Sequence, residues 1–237
     1  GIVVINPNNP TGAVYPHAIL QQIVDVAREH GLVVFSDEIY EKITYDGAEA
    51  INMASLTGDD VLCLTFSGLS KAYRVCGYRA GWVAITGPKK DASSYLEGIH
   101  LLASMRLCAN VPAQHAIQTA LGGYQSINEL IVPGGRLYEQ RTLAHKMLNE
   151  IDGISCTSAD GALYLFPKID VERFDITDDE QFALDLLKSQ KILFSHGRAF
   201  NWKDPDHFRL VFLPDTQTLT SALERLGNFM ADYKQKH

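Results

Sequence analysis

Short apolar runs recur through the first 110 residues, each followed by a polar loop or a helical stretch, and this alternation constrains the fold more than any other feature. The runs fall at 2–5 (Ile-Val-Val-Ile), 32–35 (Leu-Val-Val-Phe), 61–66 (Val-Leu-Cys-Leu-Thr-Phe) and 82–85 (Trp-Val-Ala-Ile). Strands apolar at every position are buried on both faces, which is the habit of parallel sheets with helices above and below. A helix is predicted over 16–30, because Pro16 suits a first turn and Gly31 stops the helix just before the next run. After residue 110 the texture changes. Helices are predicted over 112–121 and 126–151 around the Gly122-Gly123 break, then strands at 162–166, 192–195 and 208–212, with helices over 178–189 and 217–233. The expected architecture is α/β: a large domain over 1–127 with a mostly parallel sheet and flanking helices, and a smaller α+β domain over 128–237.

With 237 residues, 46% of them hydrophobic, the chain can bury a core without disulfide or metal staples. Its 21 basic and 28 acidic side chains leave a net charge of −7, and no basic run offsets it, so nucleic acid is excluded as the expected partner. Cys63, Cys76, Cys108 and Cys156 show neither metal-ligand nor disulfide-framework spacing. Reduced thiols, no metal site and a cytoplasmic setting are therefore expected. The apolar runs fall far short of the ~18 residues of a membrane span. Because Gly1 opens directly into a predicted strand without a Met, the chain is expected to be part of a longer protein, with strand 2–5 at a sheet edge.

Ligand crevices in open parallel sheets lie beyond the carboxyl ends of the strands. Three polar clusters occupy those ends: Asn6-Pro-Asn-Asn-Pro-Thr-Gly12, Ser36-Asp-Glu-Ile-Tyr40 and Ser67-Gly-Leu-Ser-Lys71, the last leading to Gly77-Tyr-Arg-Ala-Gly81. Each taken alone has an ordinary reading. The first is a Pro-fixed turn, Asp37 a helix cap, and Lys71 a solvated lysine in a loop that lacks the P-loop spacing. Together they are expected to bring Asn9, Asp37, Tyr40, Lys71 and Arg79 to one crevice.

The ordered set resembles class I/II aminotransferases, the fold type I enzymes that use pyridoxal 5′-phosphate. Gly161-Ala-Leu-Tyr-Leu-Phe166 and Phe208-Arg-Leu-Val211 extend the likeness over nearly the whole chain. Gly68-Leu-Ser-Lys-Ala-Tyr-Arg-Val75, Ala162-Leu-Tyr-Leu-Phe-Pro-Lys168 and Ala199-Phe-Asn-Trp202 are most similar to the bacterial alanine (glutamate-pyruvate) branch. The family's more N-terminal elements, which supply a substrate loop, phosphate N–H donors and a ring-stacking aromatic, have no counterpart here.

The resemblance implies that Lys71 holds the cofactor as a Schiff base and then serves as general base, and that Asp37 keeps the pyridine nitrogen protonated. Asn9 and Tyr40 would hydrogen-bond the ring oxygen. Arg79, helped by Ser67 or Ser70, would grip the phosphate, and Arg209 the substrate carboxylate, since Arg suits both anions. Without the resemblance, Arg209 is an exposed strand charge, pointing with Val211 away from Phe208 and Leu210. Arg74 and Arg198 depart from the family's usual residues, and Arg198 is expected to bear on side-chain preference. The implied reaction is alanine with 2-oxoglutarate giving pyruvate and glutamate, in a homodimer acting on amino acids and 2-oxo acids. Rival readings are an aspartate or aromatic aminotransferase or a β-lyase on the same residues, and a non-catalytic sensor domain of aminotransferase shape.

Overall fold

A computed structural model describes residues 1–236, which form two units, one of residues 1–8 and 14–128, the other of residues 9–13 and 129 onward. The first unit is built on a four-stranded sheet: β1 (Ile2–Ile5), β2 (Val34–Asp37), β3 (Cys63–Gly68) and β4 (Gly81–Thr86), in that spatial order. β1, β2 and β3 run parallel and β4 is antiparallel, so the sheet is mostly parallel and β1 lies at its edge. The helix α1 (His17–Glu29) places Leu20, Val24 and Ala27 one turn apart along a stripe, and all three are fully buried against Val4, Val34, Met53, Val61 and Cys63. Burying each Leu or Val of this core is worth about 1.5–3 kcal/mol. Gly31, at φ +59°, takes the left-handed turn that ends α1.

Both following strands begin two residues later than the apolar runs suggest. The Leu32 N–H is still bound to the Ala27 carbonyl at 2.8 Å, closing the helix, so pairing starts only at Val34 and carries on to Asp37 opposite Phe66. A one-turn helix α2 (Ala54–Thr57) precedes β3. Beyond β4, α3 (Ser93–Arg106) has no buried residue, whereas α4 (Val111–Gly122) is capped by Asn110, whose side chain accepts from the Ala113 N–H at 3.2 Å.

In the second unit, the single helix expected over 126–151 is two elements: a 3-10 turn over Ser126–Glu129, which belongs to the first unit up to residue 128, and α5 (Arg136–Asn149). Pro133-Gly134-Gly135 breaks it. Gly134 has φ +85°, and a side chain at Gly135 would meet the Glu129 carbonyl at 2.3 Å. β5 (Ile154–Ser155) pairs with β7 (Lys168–Ile169), and β6 (Tyr164–Leu165) and β8 (Ser195–His196) flank β9 (Phe208–Val211), all antiparallel. A short α6 (Val171–Phe174) follows β7, α7 (Asp179–Gln190) lays Phe182 against Phe208, and α8 (Thr216–Asp232) packs on α5 and α7. Phe182 sits at the centre of an aromatic cluster with Phe194, Phe208, Phe229 and Tyr233. Asp178 and Asp215 cap α7 and α8 through their side chains.

Among the described residues no helix is long and apolar enough to cross a membrane, no group of acidic, His and Cys side chains could hold a metal ion, and all four cysteines are free thiols.

Candidate active site

Parallel pairing carries β2 and β3 to a common end, and the polar clusters begin where the ladder stops. Asp37, the last residue of β2, lies opposite Ile5 of β1 and Phe66 of β3. No helix follows it. Its Oδ1 accepts the Ile39 N–H at 3.1 Å, forming an Asx turn in place of a helix cap, and a second turn closes from the Ile43 N–H to the Tyr40 carbonyl at 2.8 Å. This winding buries Tyr40 to 3% exposure.

Glu38 anchors the turn, a role the sequence did not suggest. Its carboxylate accepts the Met53 N–H at 2.9 Å and the Ser36 hydroxyl at 2.8 Å, and Asn52 donates to its other oxygen. Burial pushes the Glu38 pKa up; the Met53 and Ser36 bonds oppose the rise, and the charges of Glu41 and Asp37 add to it.

The loop after β3 is fixed by backbone contact. A side chain at Gly68 would meet the Ala80 carbonyl at 2.9 Å, and one at Gly81 the Ser67 carbonyl at 2.8 Å, so both positions need glycine. The Leu69 N–H binds the Ala80 carbonyl at 3.1 Å, the Val75 N–H returns to the Leu69 carbonyl at 3.2 Å, and Lys71 is held within that return. Lys71 Nζ stands 5.7 Å from the centroid of the Tyr40 ring. Arg74 adopts φ +58°, its N–H binds the Lys71 carbonyl at 3.0 Å and its side chain donates to the Ser126 hydroxyl. Ser67 and Ser70 are half-buried; Arg79 is exposed, at φ +52°, with Nη1 on the Cys76 carbonyl at 2.7 Å. On the sheet face opposite α1, Asp37 and Ser67 line a hollow of about 420 Å³ with Val3, Phe35, Ile39 and Phe66.

The first unit thus brings Asp37, Tyr40, Ser67, Ser70 and Lys71 to the same end of the sheet, while the exposed Arg79 turns its Nη1 to the Cys76 carbonyl. Asn9 and Arg209 meet in the second unit. Residues 9–13 fold onto it because Gly12, at φ +72°, accepts the Asp160 and Gly161 N–H groups at 3.0 and 2.9 Å, in a space where a side chain would overlap Ala159. Arg209 Nη1 donates to Asn9 Oδ1 at 2.8 Å and Nη2 to Ser195 Oγ at 3.3 Å, and its Nε is buried with no partner. Because a guanidinium only donates, Asn9 must present its oxygen here, which leaves its amide N–H groups for another acceptor. Arg198, by contrast, is bound to Asp178 and Asp179, so its side chain is committed to the N-terminus of α7 and not to a substrate.

This donor set fits pyridoxal phosphate: an amine for its carbonyl, a carboxylate for its ring nitrogen, a phenol for its ring oxygen, and hydroxyls with a guanidinium for its phosphate.

Comparison with known proteins agrees with that chemistry. The family model of aminotransferase class I and II matches residues 1–226. The chain is 64% identical over 234 residues to an alanine aminotransferase of Mycobacterium tuberculosis and 58% identical over 235 residues to the glutamate-pyruvate aminotransferase AlaA of Escherichia coli, covering 99% of itself in both. It covers 54% and 58% of those proteins, so it spans a little over half their length. Its fold matches a crystal structure of an Escherichia coli aminotransferase with TM-score 0.98 at 58% identity, over 100% of this chain and 58% of that one. An alanine aminotransferase from Pyrococcus furiosus matches with TM-score 0.90 at 42% identity, over 97% of this chain and 57% of that one. The chain belongs to the class I and II aminotransferases, pyridoxal-phosphate enzymes of fold type I.

Proposed function

We propose that the protein is an alanine aminotransferase that passes the amino group of alanine to 2-oxoglutarate in two half-reactions, and that this chain supplies its catalytic lysine. The observation carrying the reading is the convergence of Lys71, Tyr40 and Asp37 at the ends of parallel strands, with Lys71 Nζ 5.7 Å from the Tyr40 ring. The choice of alanine is supported by the 64% and 58% identity to relatives of that activity.

Bound pyridoxal phosphate supplies an electron-accepting ring that makes a substrate α-proton removable. Asp37 would supply the carboxylate that keeps the ring nitrogen protonated. Tyr40, and the amide N–H groups of Asn9, would be the donors for the ring oxygen. Arg79, Ser67 and Ser70 would hold the phosphate. Lys71 Nζ would be the attachment point for the cofactor and, when its amine is free, the base that takes up the substrate α-proton. Arg209 would bind the α-carboxylate, because its planar guanidinium can meet a carboxylate with two donors and each Nη still has an N–H left after its bonds to Asn9 and Ser195.

The enzyme acts in the cytoplasm as a homodimer on this reading. Free thiols support the first, and the exposed Leu101, Leu102 and Met105 of α3 support the second. Light scattering on the purified protein gives the dimer mass or refutes it.

The deciding experiment is kinetic. The protein, expressed from its complete reading frame, is assayed with alanine, aspartate and aromatic amino acids as donors and 2-oxoglutarate as acceptor. The highest kcat/KM is expected for alanine. A higher value for another donor replaces alanine, pyruvate formed from cysteine derivatives without an acceptor indicates a β-lyase, and no turnover with bound cofactor indicates a sensor.

A further inference from the structure

We propose that Phe200 and Tyr164 are positioning residues that hold the Arg209 guanidinium charged but unpaired, and so set the affinity for the carboxylate shared by every substrate. The inference rests on the carboxylate role given to Arg209 above. Arg209 Cζ lies 4.6 Å from the Tyr164 ring centroid and 4.7 Å from that of Phe200. Among the described residues no carboxylate pairs with it: its two hydrogen bonds go to the neutral oxygens of Asn9 and Ser195. Two of five N–H donors are thereby used, and the buried Nε is one of the three left. A half-buried guanidinium with no carboxylate partner is costly unless a ligand brings a counter-charge and acceptors to its remaining Nη N–H groups, so the arrangement is built for an anion.

Arg198, eleven positions earlier in sequence, shows the contrast. Its guanidinium is bound to Asp178 and Asp179, so its charge is already paired within the chain. Aromatic faces attract a guanidinium without neutralising it, and they fix the plane in which its fork can meet a carboxylate. Both rings are well held. Tyr164 lies on β6, where it pairs with Val211 of β9. Phe200 ends the 3-10 turn Gly197–Phe200, which is tied down by the Gly197 N–H on the His207 carbonyl at 2.8 Å and by the edge contact of Phe166 at 6.3 Å.

The test uses the whole enzyme with its cofactor. Phe200→Leu keeps an apolar side chain and removes the ring. KM for alanine, glutamate, pyruvate and 2-oxoglutarate is expected to rise together by roughly tenfold, with kcat changed by less than about threefold, as loss of one desolvated cation–π contact implies. The Kd of propionate, a carboxylate without amine or oxo group, measured by calorimetry, is expected to rise by the same factor. Phe200→Tyr restores both. If Phe200→Leu does not fold, Tyr164→Leu carries the same expectation, with Tyr164→Phe as its restoring variant. Arg209→Lys runs alongside. If Arg209→Lys leaves every KM and the propionate Kd unchanged, the carboxylate assignment falls. If Arg209→Lys raises them while the ring deletions do not, or if the restoring variants are as damaged as the leucines, the positioning role alone falls.

Discussion

Arg198 closes on Asp179 twice: its Nε reaches one carboxylate oxygen at 2.6 Å and its own backbone N–H reaches the other at 2.9 Å. Asp179 is 1% exposed and sits in the first turn of α7, while Arg198 belongs to the turn that ends in Phe200. One buried carboxylate at the start of a helix, whose cap is made by Asp178, therefore fixes the loop that carries a ring onto Arg209. The family resemblance points to Arg198 as a residue bearing on substrate preference; the pairing shows that its guanidinium has a different task.

Burial pushes the Asp179 pKa up, but the Arg198 backbone and side-chain bonds outweigh it and hold the carboxyl below its ordinary value. A depressed folded pKa stabilises at pH above the unfolded value and is lost as pH falls through the folded one. Stability from this pair is expected to decline below about pH 4. Asp179→Asn is expected to cost about 1–3 kcal/mol near neutral pH and to flatten that decline. Urea unfolding midpoints of both proteins between about pH 3 and pH 7 measure it, and parallel curves would refute the linkage.

Lys71→Ala is expected to bind the cofactor only non-covalently and to lose at least 10²–10⁴-fold in turnover, the usual contribution of a general base, with loss of the attachment added. Borohydride reduction of the unmutated enzyme followed by peptide mapping checks the assignment. The adduct is expected on Lys71, and an adduct on Lys89 or Lys90 instead would remove it.

Asp37→Asn and Arg209→Lys are expected to fail in different ways. The first weakens the proton hold on the cofactor ring and lowers kcat strongly, with modest change in KM. The second replaces a two-pronged fork by a point charge, and so raises KM for every amino and oxo acid before it touches kcat. Steady-state kinetics with two donors and two acceptors separates the patterns, and a common fall in kcat from both would merge the two roles.

The large elements were legible where one physical signal dominated. Continuous apolar runs marked β1 to β4, and Pro16 with Gly31 bracketed α1. The misplacements have local causes: Leu32 still serves the end of α1, and Gly134-Gly135 breaks what composition makes one helix. The helix α3 was missed because it buries nothing, so no apolar stripe of helical period marks it. Lys71, Asp37 and Tyr40 could be selected because they follow strands directly in sequence. Ser195, Tyr164 and Phe200 could not, since they reach Arg209 only through the pairing of β6 and β8 with β9, a register that no local pattern encodes. Glu38 was hidden for a related reason: its partners Asn52 and Met53 come from a loop with no strand or helix signal of its own.

Glu38 gives the opposite pH signature from Asp179. Burial holds its folded pKa above the ordinary carboxylate value, so the folded chain keeps this proton at a pH where the unfolded chain has released it. The associated stability is fully present below the unfolded value of about 4.3 and is lost as pH rises from there through the raised folded value. Glu38→Gln leaves an oxygen for Met53 and Ser36 and cannot ionise. The variant is therefore expected to lack this decline, and its stability relative to the unmutated protein to improve from about pH 4 to about pH 7. The new amide turns an N–H group toward the Asn52 donor, so a loss from that contact is superposed on the trend, but it is the same at every pH and leaves the slope intact. Urea midpoints across that pH range decide the linkage, and a difference that stays constant or moves against the variant with rising pH would show that Glu38 is already charged in the folded protein.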